Sequence, residues 1–206
     1  MKYDDFKKHK IHKRKGLQLE PYSKYRPYLS EDFERRCCYC NMCESTITTP
    51  FHIEHFIPQK EFEGKKDSLL TDYRNLMWAC PKCNLSKGSK YAGNFMESDE
   101  IENDLFYNPE KTDYNIIFYR NELGIIDSDD PKGREMIRIL KLYRPIHTLS
   151  WLIEKLSDTY DLLEQAIVSE EDIERRRELE EKRDKIANIY MKKERVFKAA
   201  YRNKFQ

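Results

Sequence analysis

The sequence predicts an α+β protein, with short strands and turns in a cysteine-rich part and helices in the last third. Three observations predict it. All 6 cysteines fall between residues 37 and 83, in close pairs. The stretch "TPFHIEHFIP" reads as a β-strand that stops at Pro58, because a central strand cannot use proline. From Gly133 on the chain turns helical, most clearly at Leu149, Leu152, Ile153, Leu156, Tyr160, Leu163 and Ile167.

Taken in order, residues 1–29 read as a basic N-terminal arm, with two prolines in "EPYSKYRPY". "SEDFERRC" predicts a short helix that starts at Ser30, with Ser30 as N-cap and Phe33 facing inward. Residues 30–92 alternate short elements with turns, and "CPKCNLSKGSK" reads as a knuckle followed by a short helix. Residues 93–134 form a turn-rich connection, in which "NIIFYRNELGII" predicts two short strands around a turn at Asn121–Gly124. Residues 135–206 form a helical region. "REMIRILKLY" ends at Pro145, one amphipathic helix follows, and a long charged helix starts at about Glu170.

Composition limits the class. At 206 residues the chain holds one domain or two small ones. It is 36% charged and 39% hydrophobic, with a mean hydropathy of −0.90, so modest cores are expected. No apolar run approaches the ~20 residues that cross a bilayer. "MKYDDFKKHKIHKRKG" has no apolar leader segment, so no signal peptide is read there and a cytoplasmic protein is the default expectation. The net charge of +1 hides two basic ends, residues 1–28 and 182–206, with the acids mostly between. Basic ends suit a polyanionic partner, or are solvated tails.

The cysteines carry the first chemistry. "CCYCNMC" contains two overlapping C-x-x-C pairs, Cys37/Cys40 and Cys40/Cys43, and Cys80/Cys83 supplies another. Two such turns make a tetrahedral thiolate cage closed by ~2.3 Å Zn–S bonds. Four thiolates leave no open position, so the zinc is structural. A redox pair would need one C-x-x-C at a helix N-terminus in a βαβ setting, which is absent. The spacing does not choose among Cys37, Cys38, Cys40 and Cys43.

The second chemistry lies between the knuckles, where "HIEH" puts His52, Glu54 and His55 within four residues. Cys37-Cys38-Tyr39-Cys40, Glu54-His55-Phe56-Ile57-Pro58, Asn75-Leu76, Cys80-Pro81-Lys82-Cys83-Asn84 and Lys87-Gly88 together resemble the zinc-containing HNH endonucleases. The resemblance implies a ββα-metal core over roughly residues 36–90 and Cys37, Cys40, Cys80 and Cys83 as zinc ligands. It implies hydrolysis of nucleic-acid phosphodiesters with one divalent cation. His55 is then the general base, Glu54 and Asn84 hold the cation, and Asn75 orients the site through the backbone. Glu54 stands where Asp is more common, and Asn84 where the final His is. Oxygen-rich ligation favours Mg²⁺ or Mn²⁺.

That reading implies DNA as partner, with RNA left open, and phosphate contacts by Lys87, Lys90 and the basic ends. His52 shares a strand face with Glu54, which places it near the cation or a phosphate, or leaves it as a plain strand histidine. "HIEHFIPQK" is similar to the subgroup that serves as the nuclease part of bacterial anti-phage systems beside an ATPase partner. The competing expectation is a zinc-knuckle module that binds nucleic acid or protein without cutting.

Overall fold

A computed structural model describes residues 2–202. It is α+β, and it divides into two units, one ending at Arg144 and the other beginning at Pro145. In the first unit, β1 (Asp4–Asp5) precedes α1 (Arg26–Asp32), β2 (His52–His55), α2 (Gln59–Phe62), β3 (Leu76–Ala79) and α3 (Pro81–Lys87). Then come α4 (Tyr114–Ile117), β4 (Tyr119–Arg120), β5 (Ile126–Asp127) and α5 (Pro131–Leu140). The second unit holds α6 (Pro145–Ser169) and α7 (Ile173–Arg202), which pack on each other as a helical hairpin.

Strands β2 and β3 pair antiparallel, with His52 opposite Ala79 and His55 opposite Leu76. The hairpin and α3 form a ββα unit. Its core is aromatic, with Phe33, Phe51, Phe56 and Trp78 buried. The second sheet has the order β1-β4-β5 and is antiparallel throughout. Its β4–β5 turn runs through Asn121–Gly124, closed by a bond from the Gly124 N–H to the Asn121 carbonyl (2.8 Å).

Three sequence expectations change. The first helix starts at Arg26 rather than Ser30, because Pro27 is preorganised for a first helical turn. The N-terminal arm is not a solvated basic tail. Phe6 is buried against Tyr114 and Phe118, and the Lys7 ammonium sits 4.2 Å over the Tyr114 ring. The Lys13 ammonium donates to the carbonyls of Tyr73 (2.7 Å) and Arg74 (3.0 Å) and pairs with Glu110 (3.2 Å). Lys10 and Lys15 stay exposed, while Lys204 of the basic C-terminal end lies outside the described residues. The helical region divides at Arg144–Pro145, because α5 buries Met136, Ile139 and Leu140 and packs with α3. Gly133 of α5 permits its close approach to Ser128, where an added Cβ would lie 2.2 Å from the hydroxyl oxygen.

Candidate active site

The first knuckle is a tight turn. The Asn41 N–H bonds the Cys37 carbonyl (3.0 Å), and Asn41 takes the left-handed conformation (φ 63°) that asparagine tolerates. The Cys38 N–H bonds the Trp78 carbonyl (2.9 Å), tying the knuckle to β3. The second knuckle is the N-terminus of α3, with Cys80 at the N-cap and Pro81 after it. The sulfurs of Cys37, Cys40, Cys80 and Cys83 all lie within 4.8 Å of one another and are buried. The Cys40–Cys80 separation is 3.7 Å, close to the ~3.8 Å edge of a tetrahedron with 2.3 Å zinc–sulfur bonds.

The cluster fits zinc. Burial opposes charge on Cys37, yet hydrogen bonds from the surrounding thiols hold it well below the ordinary thiol range. Burial pushes Cys40 well up, and shared hydrogen bonds do the same to Cys83. One thiol is thus favoured as thiolate, and a bound cation would draw the protons from the others. Cys38 is buried outside the cluster, and Cys43 turns to the Ser45 hydroxyl (3.1 Å).

Next to the knuckles, His52 and Glu54 point from one face of β2 towards α3. Two strand residues span ~6.7 Å and three helical residues ~4.5 Å, so positions 84 and 87 can match 52 and 54. The Asn84 amide lies 3.0 Å from His52 Nδ1. Burial, and then the charge of Arg26, lowers the His52 pKa, so its imidazole is neutral and Nδ1 can accept. Lys87 pairs with Glu54 Oε1, the Tyr39 hydroxyl donates to Glu54 Oε2 (2.8 Å), and the Lys87 ammonium also donates to the His55 carbonyl (3.0 Å).

Two of the expected site residues are buried against each other. The side chains of Lys87 and Glu54 are only 0% and 3% exposed. Glu54 is a buried counter-ion, with one oxygen on Lys87 and the other on Tyr39. The Lys87 ammonium is turned inward, onto Glu54 and the His55 carbonyl. Burying either charge alone is costly, and each is the other's compensation. Lys90 is exposed, and its ammonium donates to the Ser86 carbonyl (3.0 Å).

The His55 imidazole makes contacts of its own. Its Nε2 lies 3.1 Å from the Leu70 carbonyl. A carbonyl only accepts, so Nε2 carries the hydrogen and Nδ1 keeps a free lone pair. The ring meets Tyr22 edge-on at 5.0 Å and Phe62 at 5.9 Å. Burial lowers the His55 pKa, opposed by the Leu70 bond and by Glu54. Asn75, fully buried, accepts from the Ile57 N–H (2.8 Å) and donates to the carbonyls of Ile57 (3.2 Å) and Leu69 (3.1 Å). It braces the segment that presents the Leu70 carbonyl.

On and beside β2, Asn84 thus meets His52, Glu54 meets Lys87, and the His55 ring meets the Leu70 carbonyl. Tyr22 and the Leu70 carbonyl were not readable. A carbonyl has no sequence signature, and Tyr22 sits in an arm with no chemical motif.

Residues 37–90, about a quarter of the chain, match the family model for HNH endonuclease. The likeness to the HNH endonuclease family is carried by this segment. Nuclease activity in general is what that family implies for the chain. No curated protein and no solved structure matches it. Among the described residues, no helix is long and apolar enough to cross a membrane.

The HNH family uses a divalent cation. With Glu54 engaged, the donors that remain on this face are His52 Nδ1 and the Asn84 amide, both half-buried. A half-turn of the amide presents its oxygen in place of its nitrogen. One imidazole nitrogen and one amide oxygen fit an ion that keeps its other positions for water and phosphate.

Proposed function

We propose that this chain is a metal-dependent endonuclease that hydrolyses phosphodiester bonds in DNA, with His55 as general base and His52 and Asn84 holding the cation. The observation that carries the reading is the His55–Leu70 contact. It commits Nε2 as donor and leaves Nδ1 to take a proton from water as that water attacks phosphorus. Burial keeps the ring neutral, which is the form a base needs. A divalent cation bound by His52 and Asn84 would offset the phosphate charge and steady the departing alkoxide. Lys90 is exposed beyond the end of α3 and can neutralise a flanking phosphate.

The test is a digest of plasmid, single-stranded DNA and RNA side by side, with Mn²⁺ or Mg²⁺ and with EDTA. EDTA-sensitive nicking of the plasmid is the expected result. Asn84→Ala and His52→Ala are each expected to raise the Mn²⁺ concentration that half-saturates cleavage, by about 10- to 100-fold. Unchanged Mn²⁺ dependence in both would remove the pair from the cation site.

The occupied Glu54 supports a second reading, in which the domain grips nucleic acid without cutting it. Salt-sensitive retention of DNA with no EDTA-sensitive cleavage would establish that one. The "HIEHFIPQK" resemblance further supports service in an anti-phage system beside an ATPase. Phage plaque counts on cells with and without the protein would test it, and equal counts would end it.

A further inference from the structure

We propose that Tyr39, Glu54 and Lys87 form a buried positioning chain that transmits the placement of the zinc knuckle to His55. The proposal rests on the reading of His55 as the base. It assigns Glu54 and Lys87 a task that neither cation binding nor phosphate binding describes.

Each link joins a different piece of the fold. Tyr39 lies inside the first knuckle, between Cys37 and Cys40, and is fully buried. Its hydroxyl holds one oxygen of Glu54 on β2 (2.8 Å). The other oxygen holds Lys87, at the C-terminal end of α3. Lys87 then reaches back to β2, onto the carbonyl of His55 itself (3.0 Å). From the connecting region Phe106 covers the chain, with its ring 6.3 Å from the Tyr39 ring and 5.8 Å from the Lys87 ammonium.

The decisive feature is the peptide plane after His55. Its carbonyl oxygen accepts from Lys87, and its N–H, that of Phe56, donates to the Asn75 carbonyl (2.8 Å). A trans peptide is planar, so fixing both polar ends fixes the plane. The imidazole leaves the backbone one bond before that plane. Its direction towards the Leu70 carbonyl is therefore set by Lys87 on one side and Asn75 on the other. Lys87 needs a buried anion to be stable there, and Glu54 supplies it. Glu54 in turn is steered by Tyr39, whose place depends on the knuckle. A strand end with only a two-stranded hairpin to hold it would otherwise be loose.

The test uses the full, zinc-loaded chain labelled with ¹⁵N, and reads the His55 tautomer from long-range ¹H–¹⁵N spectra of the imidazoles. It also reads zinc content, and Mn²⁺ affinity from the electron paramagnetic resonance signal of free Mn²⁺. Wild type is expected to show His55 as a single Nε2–H tautomer. In Lys87→Met and in Tyr39→Phe, zinc content and Mn²⁺ affinity are expected to hold while His55 becomes a tautomer mixture. Cleavage at saturating Mn²⁺ is expected to fall by about 10²-fold in Lys87→Met, with Lys87→Arg recovering part of it. Glu54→Gln is expected to leave Mn²⁺ affinity unchanged.

A single, unaltered His55 tautomer in both Lys87→Met and Tyr39→Phe would overturn the proposal. So would a loss of Mn²⁺ affinity in Glu54→Gln with the tautomer intact, since that marks Glu54 as a ligand. Should Lys87→Met not fold, Tyr39→Phe removes a single hydroxyl and decides alone. Should wild type cleave nothing, the nuclease reading fails, while the tautomer and Mn²⁺ measurements still judge the positioning chain.

Discussion

Chelation of zinc, or Cys80→Ser, is expected to unfold the hairpin and both knuckles rather than only slow a reaction. A structural zinc contributes ~10–16 kcal/mol of apparent folding free energy, against a net stability of ~5–15 kcal/mol for a whole domain. What would remain in its absence is small. Each strand of the β2–β3 pair is 4 residues long, and an isolated two-stranded hairpin is marginal in water. Cys80 also opens α3, so losing its sulfur from the cluster unties the start of the helix that carries Asn84 and Lys87. Hydrogen exchange resolved by peptide would check this. Protection should vanish at the Cys38 N–H, which bonds the Trp78 carbonyl, and along His52–His55. Cys43→Ser is the contrast. Cys43 lies outside the four-sulfur group beside Ser45, so its replacement should change stability by no more than ~0.5 kcal/mol. Full protection after chelation would show that the sulfurs need no metal to hold their place.

Much of this was legible because it is local. A C-x-x-C turn aims two sulfurs at one point whatever surrounds it. The strand predicted to stop at Pro58 ends at His55, Asn121–Gly124 makes a turn, and apolar spacing marks α6. The partner of Glu54 was not legible. Glu54 and His55 adjoin in sequence, which suggests shared duty at one centre, but neighbours in a strand face opposite ways. What each meets is decided by other elements: Lys87, thirty-three positions on, and the Leu70 carbonyl. Lys87 and Lys90 look alike in the sequence. The first ends α3 and is buried by Phe106, and the second follows the helix end into solvent. The basic arm misled for the same reason. Its lysines read as a field of charge, yet Lys7 and Lys13 are placed by residues some sixty to a hundred positions away. Charge runs say what a segment carries, and only long-range packing says which of those charges reach solvent.

His55→Ala is expected to lower cleavage by about 10²–10⁴-fold, the range for losing a general base. The fold should survive, since the ring makes one hydrogen bond, to a carbonyl that can turn to water. Zinc content and helicity should match wild type, which separates lost chemistry from lost structure. The pH profile gives a sharper check. The active form is the neutral ring, and burial lowers its pKa below the ordinary ~6.5. Glu54 and the Leu70 bond pull the other way, Lys87 reinforces burial, and Tyr22 and Phe62 supply apolar walls. Cleavage should therefore hold its plateau below pH 6.5 and fall only at more acid values, as the ring gains a proton. Tyr22→Ala opens one wall and re-solvates the ring. Its acid limb should move up towards the value of a free imidazole, with the plateau rate less affected than the midpoint. An acid limb already above 6.5 in wild type, or one that Tyr22→Ala leaves in place, would mean that another group limits the reaction. Equal nicking by His55→Ala and wild type would remove His55 from the chemistry altogether.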